Sequence, residues 1–268
     1  MNNVTLVVSS TDSYSDMWDP FFKLLKKYWD PQCPIVLSTD SRSYSYPGLN
    51  IQTMQLFKPD ENPVWSKRLM RHLERIDTDY IIMILDDFFI TGPVDEKKIE
   101  QCIQWMDADT QITCFNFHCA HYDTNLPCQY DGFLEKPQRS KYKMNCQAAL
   151  WRRKSLLKDM REHENPWNFE NLGSQRSWRY KDQKFYQADK DVIVIPYCMP
   201  GGAAAHGKWE QNAVELNEKE DLGIDFAVRG INEVVRGSRQ SVLGYIFSDL
   251  SPKRIGNALV TRWKSLKP

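Results

Sequence analysis

The chain has 268 residues, 41% of them hydrophobic and 12% aromatic, and its Lys+Arg 35 are cancelled by Asp+Glu 35. That is enough apolar material for one large domain, or a domain with an appendage. Zero net charge excludes a chain-wide basic field for nucleic acid, and no apolar run approaches the roughly 20 residues of a membrane span.

The opening MNNVTLVVSS has no basic segment ahead of a long apolar stretch, so it reads as the first strand rather than a secretory signal, and a cytoplasmic location is expected. Residues 4–9 suit a buried parallel strand. From Ser13 to Trp29, apolar residues recur at three- and four-residue spacing, which predicts an amphipathic helix with Ser13 or Ser15 as N-cap. A second strand is predicted over 34–39, ending at Asp40, then a helix over 64–76. Residues 80–85 (YIIMIL) form the most apolar strand, with Asp86 and Asp87 directly after it. This β-α-β-α-β order implies an α/β fold with a Rossmann-type, mostly parallel sheet and helices on both faces.

A helix is expected from Glu96 to Met106, then short strand-like pieces among polar loops over 111–150. Residues 147–160 read as strand passing into helix, and 163–190 as loops over a site. A further strand is predicted at 192–197 (VIVIPY), before the small-residue loop PGGAAAHGKW. From Phe226 to Pro268 there are eight basic residues and two acidic ones, a net +6 that leaves −6 on the rest. We therefore divide the chain into a domain over 1–225 and a basic helical tail over 226–268. The tail either packs on the domain or lodges peripherally on an anionic membrane face.

Seven cysteines, an odd and scattered count, argue against a disulfide framework. Cys114, Cys119 and Cys128 lie near His118 and His121, but no C-x-x-C pair occurs, so zinc is the weaker reading.

Adjacent carboxylates at the carboxyl end of a sheet strand stand where open α/β sheets bind ligands. They are costly to keep charged without a compensating cation, and Mg²⁺ or Mn²⁺ bridging to a diphosphate is a natural one. The alternative is a helix or turn cap. The run ILDDFFI, behind the helix WSKRLMRHLERIDTDY, resembles the metal-binding DxD-type segment of GT-A fold glycosyltransferases. The opening VVSSTDSYSDMWDPFFKLLKKYW, with QAALW, PWNFENLGSQRS and HGKW, is similar to bacterial enzymes that build capsule or lipopolysaccharide.

The resemblance covers roughly residues 4–210. It implies a nucleotide-diphosphate sugar donor, with a UDP-sugar favoured, a divalent metal, and a glycan or lipid-linked acceptor. It places Asp87 on the metal, Asp86 on the metal or the donor ribose, His206 as a late metal ligand and Lys208 on the diphosphate. The family pattern is D-x-D, whereas Phe88 stands second after Asp86 here. Glu170 takes the place of the general base of an inverting transferase, with Trp167 and Phe169 as its apolar wall and Glu164 or Asp182 as alternatives. Ser9, Ser10, Thr11 and Asp40 would meet the nucleobase and ribose, and Lys67 and Arg68 the nucleotide or phosphates. Gln147, Trp151 and Trp167 would meet the acceptor sugar.

Two rival readings remain. A nucleotidyltransferase would want a Gly-rich basic loop after the first strand, and SSTDSYSD lacks Gly, Lys and Arg. A non-catalytic carbohydrate-binding module would account for the nine tryptophans but not for the carboxylate pair.

Overall fold

A computed structural model describes residues 3–118, 125–199, 201–232 and 260–266. Strand β1 (Val4–Ser9) lies between β2 (Ile35–Ser38) and β4 (Tyr80–Leu85), parallel to both, and β3 (Ile51–Thr53) continues the parallel run beyond β2. β-Branched and other apolar runs of this kind are buried on both faces, and the two faces divide by parity. Leu6, Val8, Ile82 and Ile84 enter one core, whereas Val7, Ile81 and Met83 enter the other.

Helix α1 (Trp18–Tyr28) covers the first face with Phe21, Phe22, Leu24 and Leu25. Helix α2 (Trp65–Leu73) covers the second with Leu69 and Leu73. The expected long helix from Ser13 is instead a 3-10 segment, Asp12–Met17, leading into α1, and no side chain caps either start.

Helix α3 (Glu96–Ala108) is capped by Asp95, whose side chain accepts from the Lys98 N–H. Beyond it, β5 (Ile112–Asn116), β6 (Leu126–Pro127), β7 (Phe133–Glu135) and β8 (Ala149–Arg152) extend the sheet. Helix α4 (Arg153–Asp159) follows β8, as the pattern over 147–160 predicts.

Two expectations fail. Residues 163–190 are not all loop: α5 (Pro166–Asn168) runs through a π-type turn, Phe169–Gly173, into α6 (Ser174–Ser177), and β9 (Lys184–Ala188) follows. Residues 192–197 form no strand; only Tyr197 makes a bridge, to Ile90.

Among the described residues the main sheet runs β3-β2-β1-β4-β8-β5-β9-β7-β6. Its first half is wholly parallel, and β8 turns it by pairing antiparallel to both β4 and β5. A hairpin, β10 (Ala204–Ala205) and β11 (Lys208–Trp209), leads to α7 (Gln211–Glu220).

The boundary expected at 225/226 falls inside packed structure. Phe226 packs edge-on against Trp209, and the Trp209 N–H donates to the Gly230 carbonyl at 3.0 Å. Residues 260–266 are helical, and 233–259, with most of the tail's charges, lie outside the described residues. None of the described helices is long and apolar enough to cross a membrane.

Candidate active site

Strands β1 and β4 end together, Ser9 opposite Leu85, so Ser10 and Asp86 leave the sheet side by side. Asp86 is buried and accepts a hydrogen bond from Ser10 Oγ, which in turn accepts from Trp18 Nε1 at 2.8 Å. Burial pushes its carboxyl up to about 7. Asp87 is more isolated, for its Oδ1 is buried with no hydrogen-bond partner. Burial, and then the neighbouring charge of Asp86, drive it well above the ordinary carboxylate range.

The small-residue loop closes over Asp87. The Ala203 N–H donates to the Asp87 carbonyl at 2.6 Å, and Asn212 Nδ2 holds the Gly202 carbonyl at 3.0 Å. Neighbouring carboxylates driven toward their neutral forms, one of them with an idle oxygen, suit a hard divalent cation.

Glu170 sits on the π-type turn, a distortion often found at functional positions. Its Oε1 accepts from the Cys146 N–H at 2.9 Å. Burial raises its pKa, and that N–H opposes the rise. The buried Cys146 thiol is pushed up by burial and then by the charges of Glu170 and Asp87.

Four expected donor residues come together at the other strand ends. Thr11 Oγ1 donates to Asp40 Oδ2 at 2.6 Å, and Arg68 Nε donates to Asp40 Oδ1 in a largely buried pair. Trp65 Nε1 donates to Ser9 Oγ at 3.0 Å. Asp12 stiffens the corner. Burial would raise its carboxyl, but the Ser41 hydroxyl and the N–H groups of Ser41, Asp40 and Arg42 outweigh that and hold it low. Lys67 lies apart, 3.6 Å from Glu61 and over the Phe57 ring.

The chain is similar in fold to residues 1–349 of S. aureus TarS, at 13% identity over 98% of this chain and 81% of that one, with a TM-score of 0.51. The fold is GT-A-like. TarS 1–349 in complex with UDP-GlcNAc aligns at 12% identity over 75% of this chain and 59% of that one, with a TM-score of 0.45. A mannosyltransferase from Pyrobaculum calidifontis, in complex with GDP-Man and Mn²⁺, aligns at 10% identity over 74% and 57%, also at 0.45. The fold assignment rests on the first. No family model matches the sequence, and no curated protein does.

The remaining expected residues scatter. His206 (φ +53°) and Gly207 (φ +78°) make the two-residue turn of the β10–β11 hairpin, and His206 and Lys208 are exposed. Among the described residues no three His, Cys, Asp or Glu side chains cluster as metal ligands, so His206 does not join the aspartates. Of the zinc candidates, Cys114 is core and Cys128 donates to backbone carbonyls, while Cys119 and His121 lie outside the described residues.

Trp151 is fully buried on β8 between β4 and β5, with no face for a sugar. Trp167 is 70% exposed and Phe169 packs on Trp65, so the apolar wall expected around Glu170 is replaced by burial within the turn. Glu164 is locked to Arg176 and Asp182 is exposed, which leaves Glu170 as the base candidate. Gln147 accepts from the Tyr197 hydroxyl at 2.6 Å, and Tyr197 stacks on Phe88. Tyr197 also lines a cleft of about 380 Å³ with Phe117, Thr91, Lys190 and Met199.

Sequence reasoning missed Trp65, Tyr14 and Arg229. Trp65 touches both Ser9 and Phe169, tying the donor corner to the Glu170 turn. Its place at the first turn of a predicted helix facing the strand ends was the available signal.

Proposed function

We propose that the chain is a metal-dependent glycosyltransferase that moves a sugar from a nucleotide-diphosphate sugar, preferably a UDP-sugar, to a hydroxyl of a glycan or lipid-linked acceptor. The observation that carries this is the buried, unpartnered Asp87 Oδ1 at the end of β4, directly after the buried carboxylate of Asp86. Asp87, with Asp86 behind it, would hold Mn²⁺ or Mg²⁺, and such a cation supplies charge neutralisation to a departing diphosphate. Few protein ligands are needed, because a hard cation takes donor phosphate oxygens and waters for the rest of its shell.

The corner of Ser9, Thr11, Asp40 and Arg68 holds the nucleoside. Glu170, made more basic by burial, takes the proton of the acceptor hydroxyl in an inverting transfer. Gln147 and the cleft beside Tyr197 receive the acceptor. Capsule or lipopolysaccharide assembly at the inner membrane face, reached through the basic tail, is the setting this reading implies.

Incubation with UDP-glucose, UDP-GlcNAc and GDP-mannose, with Mn²⁺ and with EDTA, tests the reading. Slow, metal-dependent donor hydrolysis that Asp87→Asn abolishes is expected. Free-sugar binding without nucleotide binding would favour a carbohydrate-binding module instead.

A further inference from the structure

Arg229 belongs by sequence to the basic tail, yet its side chain is only 10% exposed and reaches back to the turn after β1. Its Nε and Nη2 both donate to the Asp16 carboxylate, with Nε to Oδ2 at 2.6 Å, and Nη2 also donates to the Ser13 carbonyl at 2.7 Å. The guanidinium lies over the Tyr14 ring, 4.2 Å from its centroid. One side chain thus grips three of the four residues from Ser13 to Asp16, with the bidentate geometry that arginine has and lysine lacks.

That turn follows directly from Ser10, Thr11 and Asp12, which hold Asp86 and Asp40 in place. The backbone around Arg229 is anchored separately. The Trp209 N–H donates to the Gly230 carbonyl, the Asn232 N–H donates back to the Trp209 carbonyl at 2.7 Å, and Asn232 Nδ2 donates to Glu210 at 2.7 Å.

We propose that Arg229 is a positioning residue of the donor site, clamping the turn at residues 13–16 so that Ser10, Thr11 and Asp12 present Asp86 and Asp40 to a nucleoside diphosphate. Resting on the donor reading above, this assigns residues 226–232 to the catalytic domain.

The test is calorimetry of UDP and GDP, with Mn²⁺, on the full chain and its variants. Arg229→Gln is expected to weaken nucleotide binding at least tenfold, Asp16→Asn to do the same, and the double variant to be no worse than either. Arg229→Lys should recover only part of the affinity. Asn232→Ala loosens the segment without touching the clamp and should stay within twofold of the wild type. Amide exchange at residues 12–17 should speed up in Arg229→Gln and not in Asn232→Ala. Wild-type affinity in Arg229→Gln, or equal losses in Asn232→Ala, would overturn the assignment. A wild-type protein that binds neither nucleotide sinks the donor reading itself, and the donor role of Arg229 with it.

Discussion

Gly202 lies against Asp87 so closely that a β-carbon on the glycine would stand 2.7 Å from Oδ2 and 2.9 Å from Cγ. Its φ of +89° is left-handed, so both space and backbone require glycine there. Gly201, at φ +85°, shares the backbone demand but has nothing within 4 Å of such a β-carbon. The pair separates strain from contact. Gly201→Ala should cost about 1–2 kcal/mol of stability and leave Mn²⁺ binding intact. Gly202→Ala should cost more and weaken Mn²⁺ binding at least tenfold, because the carboxylate must move. Thermal melts with a manganese titration decide it, and equal cation affinities in the two variants would remove Gly202 from the site.

The aspartate pair makes stability fall as pH rises. Asp86 keeps its proton to about pH 7 in the folded chain, against 3.8 when unfolded. Between those values the folded state binds more protons, so unfolding becomes easier with rising pH, by roughly 4 kcal/mol at most. Asp87 is shifted in the same direction. Without metal, Asp86→Asn and Asp87→Asn should therefore melt higher than wild type at pH 8 and no higher at pH 4. Mn²⁺ should stabilise the wild type at pH 8 and release protons as it binds. A pH-independent difference between wild type and variants would exclude raised carboxyls.

What the sequence discloses is the half of the sheet where local pattern and tertiary setting agree. Strands β1, β2 and β4 are buried on both faces, and their apolar runs say so. Strand β9, KFYQA, looks too polar for a strand, yet it pairs with β5 on one side and β7 on the other. Residues 192–197 look like a strand, yet among the described residues their backbone bonds to the segment 89–95 make only one bridge, Ile90 to Tyr197, and Ile193 is 69% exposed. Pairing, which sequence does not show, decided both. The site divides the same way. Asp86, Asp87 and Asp40 stand out as candidates because they follow strands, whereas Glu170, named through the resemblance, stands on a π-type turn that no residue pattern signals. Arg229 was lost in a charge count that treats the tail as one patch.

Glu170→Gln separates chemistry from binding. The amide still accepts the Cys146 N–H that now holds Oε1, so the turn should keep its shape. It cannot accept a proton. Transfer should fall by about 10²–10⁴-fold with donor affinity unchanged, the size of a lost general base. Full activity in this variant would point to a retaining mechanism or another base.

The scaffold behind that turn rests on Arg176. Its guanidinium meets both oxygens of a fully buried Glu164, with Nη2 to Oε2 at 2.8 Å. Nε and Nη2 also donate to the Asp159 carbonyl, and Nη1 donates to the Ser265 carbonyl at 3.0 Å, which docks the helical residues 260–266. Removing one partner leaves a charge in the interior with no counterion. Arg176→Ala should thus cost about 3–5 kcal/mol. The exposed Arg71–Glu74 pair is the internal control, because solvent screens it, and Arg71→Ala should cost about 0–1 kcal/mol. Replacing Arg176 and Glu164 together by Met and Leu should recover most of the loss, since it removes both charges and keeps the volume. Urea unfolding of the four proteins measures this. A double variant as unstable as Arg176→Ala would show that the bonds to Asp159 and Ser265, rather than the ion pair, hold this region.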